Sequence, residues 1–202
     1  MTDATTNSDA SDDNARAEPL QDADIVRITA RIDRPIVLVG LMGVGKSTVG
    51  RRLAAITGSS FVDADDAIED AAQRSIAEIF EEFGEAYFRD GERRVIGRLM
   101  EEQSGVIATG GGAFADDETR ALILEKGIAV WIDCDLDTLV ERTSRRDHRP
   151  LLRTGDPRTI LSDLLEARTP FYSQAQVRVK SDDGPHAETA RAILAGIEEW
   201  LG

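Results

Sequence analysis

Cysteine occurs once, at Cys134, in a chain of 202 residues, which excludes an intramolecular disulfide and any cysteine-rich metal site. Basic residues are also scarce: 24 Lys and Arg stand against 38 Asp and Glu, a formal net charge of −14. That balance argues against a general nucleic-acid binder or a binder of anionic membranes, since both need positive surface. No stretch approaches the roughly 20 apolar residues of a membrane span. The N-terminus lacks the basic and apolar regions of a signal peptide. The expected placement is cytoplasmic, with no nucleic acid and no membrane as partner. No exposed apolar stripe stands out, so a monomer is expected. What remains, 41% hydrophobic and 31% charged residues, describes an ordinary globular chain long enough for one domain and a tail.

The tail reads as residues 1–24, rich in Asp, Asn, Ser, Thr and Ala. Such a segment buries too little apolar surface to offset its ordering entropy, so a disordered acidic extension is expected before a single domain over 25–202. Ile25 to Ile32 reads as a short adapter. Ile36-Val37-Leu38-Val39 then forms a buried parallel strand. It runs into Gly40-Leu41-Met42-Gly43-Val44-Gly45-Lys46-Ser47-Thr48, a complete G-x-x-x-x-G-K-[ST] pattern in a strand–loop–helix context. Glycines let the backbone curl around a phosphate and aim successive N–H groups inward. The following helix N-terminus favours an anion. Lys46 can reach the β- and γ-phosphates, and the Ser47 hydroxyl can coordinate Mg²⁺. A nucleoside triphosphate is the expected ligand.

Downstream, Thr48 to Thr57 reads as a helix ending near Gly58, and Ser60-Phe61-Val62 as the second strand. A helix is expected from Ile68. Ser75-Ile76-Ala77-Glu78 has capping-box spacing and opens another, with apolar residues at 76, 79 and 80 facing inward. Gly84 breaks it, and a longer helix spans Glu85 to Glu102, turning Phe88, Val95, Ile96 and Leu99 inward. Val106–Thr109 is a strand entering Gly110-Gly111-Gly112. Asp116 or Asp117 caps a helix that stops at Gly127. Ala129–Ile132 is a strand, followed by a helix from about Asp135 to Arg145. An arginine-rich loop covers Arg145 to Arg153. Asp156-Pro157 opens a long helix, with Pro at N1. Gln176–Lys180 is the last strand, and a helix from about His186 to Leu201 closes the chain. Five strands alternating with helices imply an α/β sandwich, a parallel sheet with helices on both faces.

In such sheets ligands sit beyond the carboxyl ends of the strands. The phosphate loop, Asp63/Asp65 and the triple glycine all gather at that rim. Asp63 and Asp65 lie two apart at a strand end. If strand geometry persists, one faces the metal waters and the other the acceptor; otherwise both are turn and helix-cap residues. Arg142, Arg145, Arg146, Arg149 and Arg153 crowd into twelve residues, either as a solvated helix end or as a mobile lid, about 142–155, that neutralises charge over a nucleotide. Arg89 and Arg168 gain meaning if the acceptor is an anion, because a guanidinium pairs bidentately with a carboxylate. Cys134 reads as buried filler.

Taken together, the phosphate loop, Phe61-Val62-Asp63-Ala64-Asp65, Ser75-Ile76-Ala77-Glu78-Ile79-Phe80, Phe88-Arg89, Thr109-Gly110-Gly111-Gly112, Arg149-Pro150-Leu151-Leu152 and Arg168-x-Pro170-x-Tyr172 resemble the shikimate kinase family. The resemblance runs from about Pro35 to Leu201. It implies a three-layer P-loop NTPase sandwich with strand order 2-3-1-4-5 and a mobile lid. The implied activity transfers the γ-phosphoryl group of ATP to the shikimate 3-hydroxyl, giving shikimate 3-phosphate and ADP for chorismate and aromatic amino-acid biosynthesis. By the same resemblance Gly43, Val44, Gly45, Lys46, Ser47 and Thr48 would wrap the ATP phosphates. Ser47 and Asp63 would hold Mg²⁺. Asp65 would hydrogen-bond the attacking hydroxyl as the candidate base. Arg89 and Arg168 would bind the carboxylate, with Gly111 and Gly112 at the ring hydroxyls and Glu92 helping to orient the substrate side. Arg149 would be the catalytic lid arginine, with Arg142 near the nucleotide.

Three positions depart from the family pattern: Ala64 between the aspartates, Gln73 where glycine is common, and Asp182-Asp183-Gly184-Pro185, which lacks an arginine often found against adenine. Asp133, after an apolar strand, mimics a metal carboxylate of other phosphate-loop proteins and is expected to be a decoy. A gluconate kinase would share the loop and lid but lack the Asp63/Asp65, Arg89, Arg168 and triple-glycine set. A regulatory nucleotide-binding module would show damage at Lys46, Ser47, Asp65 or Arg149, and none is damaged.

Overall fold

Ile36–Val39, apolar on both faces, become β1 at the centre of a five-stranded parallel sheet of order β2-β3-β1-β4-β5. A computed structural model describes residues 20–102, 105–144, 155–181 and 184–202. The other strands are β2 (Phe61–Asp63), β3 (Val106–Ala108), β4 (Ile128–Asp133) and β5 (Val177–Lys180). Ile36 pairs with Val106 on one side and Ile128 on the other, so the central strands end level at one rim. Both faces of β1, β3 and β4 are covered, which is why these strands read as unbroken apolar runs. At the edge, β5 alternates: Val177 and Val179 point inward, Arg178 and Lys180 outward, charges that discourage pairing with another chain.

The helices are α1 (Asp22–Thr29), α2 (Lys46–Thr57), α3 (Ala64–Ala72), α4 (Ile76–Glu102), α5 (Asp117–Lys126), α6 (Leu136–Ser144), α7 (Pro157–Tyr172) and α8 (His186–Leu201). α1, α2 and α8 pack together, as do α4 with α5 and α6 with α7. Most starts and stops follow the chemistry of the caps. Asp116 accepts from the Thr119 amide, Asp156 accepts from the Thr159 amide with Pro157 at N1, and Gly58 ends α2 in the left-handed region. α4 bends at Gly84 (φ 80°, ψ 175°), as its glycine predicted.

Several boundaries differ from expectation. The adapter is a helix that begins at Asp22, inside the stretch read as tail. Its Ile25 and Ile28 are buried and Leu20 packs against the core. Two isoleucines three apart suffice to anchor two turns even in a polar segment. α2 starts at Lys46 and α3 at Ala64, each earlier than read. Phe80, assigned inward, is 36% exposed, while Ile79 beside it is buried. Gln73 occupies a left-handed C-cap (φ 52°), which explains why glycine suits that position.

Candidate active site

The phosphate loop leaves β1 through Gly40, Gly43 and Gly45, whose φ values of 133°, 91° and 94° fall where side chains are strained. At Gly40 a Cβ would also lie 2.6 Å from the Ile132 carbonyl oxygen. Gly45 caps α2 without any side-chain acceptor, so the first-turn amides stay open to an anion. Lys46 Nζ donates to the carbonyls of Gly40 (2.7 Å) and Leu41 (3.0 Å), which holds the ammonium against the loop. Val44 differs from its neighbours: its side chain is buried in the core, and only its backbone faces this region.

Ser47 Oγ donates to Asp63 Oδ2 at 2.6 Å. The idea that Asp63 and Asp65 alternate along a strand is overturned, because the chain turns into α3 at Ala64 and places Asp65 in its first turn. Asp63 is instead the N-cap, accepting from the Asp65 amide at 3.2 Å. One oxygen of Asp63 thus caps the helix while the other meets Ser47, so cap and site residue are one. Ala64, fully buried, is the small residue the sharp turn accommodates. Burial, and secondarily the negative charge of Asp63, push the Asp65 carboxyl above the ordinary aspartate range, opposed by Lys46. Among the described residues no group of three or more His, Cys, Asp or Glu side chains forms a metal cluster. The Ser47–Asp63 pair nonetheless offers two hard oxygens, a donor set that fits Mg²⁺, which keeps waters and phosphate oxygens for its other positions.

The acceptor side is built on α4, the triple glycine and α7. Arg89 pairs with Glu92 (2.6 Å) and Glu85 (3.2 Å). Burial works against the Arg89 charge, but the Glu92 carboxylate outweighs it and keeps the guanidinium firmly protonated. Glu92 is 1% exposed; burial raises its pKa, Arg89 opposes the rise, and its Oε1 has no hydrogen-bond partner. Gly110 lets two carboxylates close in: a Cβ there would sit 2.8 Å from Asp65 Oδ1 and 3.0 Å from Glu92 Oε1. At Gly112 a Cβ would collide with the Arg89 guanidinium. Arg168 Nη1 donates to the Gly111 carbonyl at 3.0 Å, and the Tyr172 hydroxyl donates to the same oxygen. Burial pushes the Tyr172 phenol up to about 12, so it stays a donor.

On the other side of the phosphate loop, Arg142 lies in α6, within the helix expected to about Arg145, so residues 142–144 of the expected lid are helical. Arg149 and the remaining lid arginines lie outside the described residues, as do Asp182 and Asp183. Asp133 behaves as a decoy: it pairs with Arg178 at 2.7 Å and does not line the cleft. Cys134 is buried filler.

One cleft of about 880 Å³ gathers Gly43, Gly45, Lys46, Ser47, Thr48 and Asp63 with Asp65, Arg89, Gly111, Gly112, Arg142 and Arg168. It also includes Thr109, Phe80 and His186, to which the sequence assigns no part in binding or catalysis. The contact with Gly111 gives Tyr172, a motif residue with no role assigned from the sequence, a place in the site. Its i,i+4 spacing from Arg168 was the available signal, because those positions share a helical face.

Residues 42–198 match the family model described as shikimate kinase. The chain is 58% identical over 186 residues to a shikimate kinase of Novosphingobium aromaticivorans, covering 90% of this chain and 96% of that one. To a shikimate kinase of Caulobacter vibrioides it is 57% identical over 166 residues, 82% of this chain and 83% of the relative. Its structure resembles that of shikimate kinase from Acinetobacter baumannii in complex with shikimate, with a TM-score of 0.79, 37% identity, and coverage of 85% and 97% of the two chains.

Proposed function

We propose that this chain, which belongs to the shikimate kinase family and phosphorylates shikimate with ATP, does so with Lys46 and Asp65 of the cleft as catalytic groups, together with the lid arginine Arg149 that the family resemblance implies. The observation that carries the reading is the convergence of a half-buried carboxylate, Asp65, and two guanidinia, Arg89 and Arg168, beside the phosphate loop. Amides of the phosphate loop and of the first turn of α2, between Gly43 and Thr48, cradle the phosphates, and Lys46 crosses from its loop carbonyls to the γ-phosphate. Arg89 and Arg168 take the acceptor's carboxylate, already aimed by Glu92 and by the Gly111 carbonyl. Asp65 accepts a hydrogen bond from the 3-hydroxyl. As the hydroxyl oxygen bonds to the γ-phosphorus, the bond to the bridging oxygen breaks, the proton passes to Asp65, and ADP leaves. The raised pKa makes Asp65 a better proton acceptor than an ordinary aspartate.

Ser47 and Asp63 would hold Mg²⁺ among waters and phosphate oxygens, where the cation, when bound, supplies neutralising charge. Arg142 lines the cleft, and by the family resemblance it and Arg149 would complete the positive charge around the phosphates. No helix among the described residues is long and apolar enough to cross a membrane. The net charge of −14 favours a separate monomer by self-repulsion, and the single cysteine together with ATP as co-substrate supports the cytoplasm.

The test is coupled ADP release with Mg-ATP and shikimate, quinate or gluconate. Stimulation by shikimate alone is expected. Turnover with gluconate instead would overturn the acceptor half while leaving the nucleotide half standing.

A further inference from the structure

We infer that Ser181 is a positioning residue for the nucleotide side of the site, locking Arg142 to the phosphate loop through one buried hydroxyl. Ser181 follows β5 and is 3% exposed. Its amide donates to the Asp133 carbonyl at 2.7 Å, extending the β4–β5 ladder and fixing the residue against the sheet. A hydroxyl offers one donor and two acceptor lone pairs, and here both capacities are used. The oxygen accepts from Arg142 Nη1 at 3.2 Å and faces the Val44 carbonyl at 3.5 Å as a donor.

The same guanidinium nitrogen has longer approaches to the Val44 carbonyl (3.5 Å) and to Cys134 Sγ (3.8 Å). Ser181 is thus the shortest of these three contacts. It is also the point at which three segments meet: the end of β5, the middle of the phosphate loop, and α6. None of the three is adjacent in sequence. A guanidinium held by a fixed hydroxyl loses less freedom when a phosphate arrives, so the contact favours binding by preorganisation. Ser181 does not line the cleft, and its effect reaches the nucleotide only through Arg142 and the loop backbone.

The inference rests on the proposed reading that Arg142 faces the nucleotide. The experiment measures the dissociation constant of Mg-ATP, the KM for ATP and the KM for shikimate in Ser181→Ala, Arg142→Ala and the double variant. Because Ser181 acts on ATP only by preorganising Arg142, loss of its hydrogen bond predicts ATP affinity lower by about 3- to 10-fold in Ser181→Ala, with the KM for shikimate unchanged. In the Arg142→Ala background the serine change adds less than about 2-fold, because the partner is gone. Ser181→Thr, which keeps the hydroxyl, restores the affinity. Ser181→Cys, nearly isosteric with a weaker acceptor, falls between and keeps the cycle readable if alanine impairs folding. If Ser181→Ala and Arg142→Ala weaken ATP additively, or if both substrates suffer alike, Ser181 is merely structural and the inference fails. If Arg142→Ala itself leaves ATP affinity intact, the assignment of Arg142 fails first.

Discussion

In the role proposed for Asp65, a single side chain would serve chemistry at the expense of stability. Its folded pKa is raised, mainly by burial, so above the ordinary aspartate range the native state holds a proton more readily than the unfolded chain. Its contribution to stability is therefore fully present below that range and is lost as pH rises through the folded value. Asp65→Asn removes the ionisation, and its melting temperature at pH 7 is expected to exceed that of the parent, with the gain shrinking as pH falls toward 4. The same variant is expected to lose about 10²- to 10⁴-fold in kcat, the usual scale for a general base, with Mg-ATP affinity nearly intact. A collapse of ATP binding would place Asp65 elsewhere. Gly112 gives a second test. Its backbone is ordinary (φ −96°), so Gly112→Ala is not strained locally, yet the new methyl meets Arg89. The KM for shikimate is expected to rise at least about 10-fold, since a 1 Å misplacement can cost about 100-fold, while ATP affinity stays constant.

Among the elements, α3 carries a correctable imperfection. Gln73 ends it in the left-handed region, the only non-glycine residue with positive φ among the described residues. Such a conformation costs an ordinary residue about 1 kcal/mol or more. Gln73→Gly is expected to stabilise by about 0.5–1 kcal/mol, raising the melting temperature by a few degrees at this chain length. The residue lies outside the cleft, so both KM values should hold. A fall in melting temperature would show that the Gln73 side chain, which donates to the Asp70 carbonyl at 2.7 Å, contributes more than the strain costs.

For the molecule as a whole, α1 joins the domain to its N-terminal segment by packing on α2 and α8. Ile28 is fully buried there. Ile28→Ala is expected to cost about 2–5 kcal/mol of stability, read by denaturant unfolding, with kcat and both KM values unchanged because the cleft is at the opposite, carboxyl rim of the sheet. A change below about 0.5 kcal/mol would mean that α1 is peripheral.

What the sequence determined by itself was whatever depends on neighbours in the chain. Glycines at the loop, Asp and Pro at helix starts, and unbroken apolar runs dictate local backbone states, and alternation of strands with helices leaves few topologies. The family motifs then named the site residues. Tertiary structure decided where chain separation is large. Asp63 caps α3 while meeting Ser47 sixteen residues earlier, and Gly111 is held by Arg168 and Tyr172 from α7. Arg142 finds Ser181 across the end of the sheet. Such contacts follow from how parallel strands bring distant carboxyl ends to one rim, a juxtaposition that no local pattern encodes.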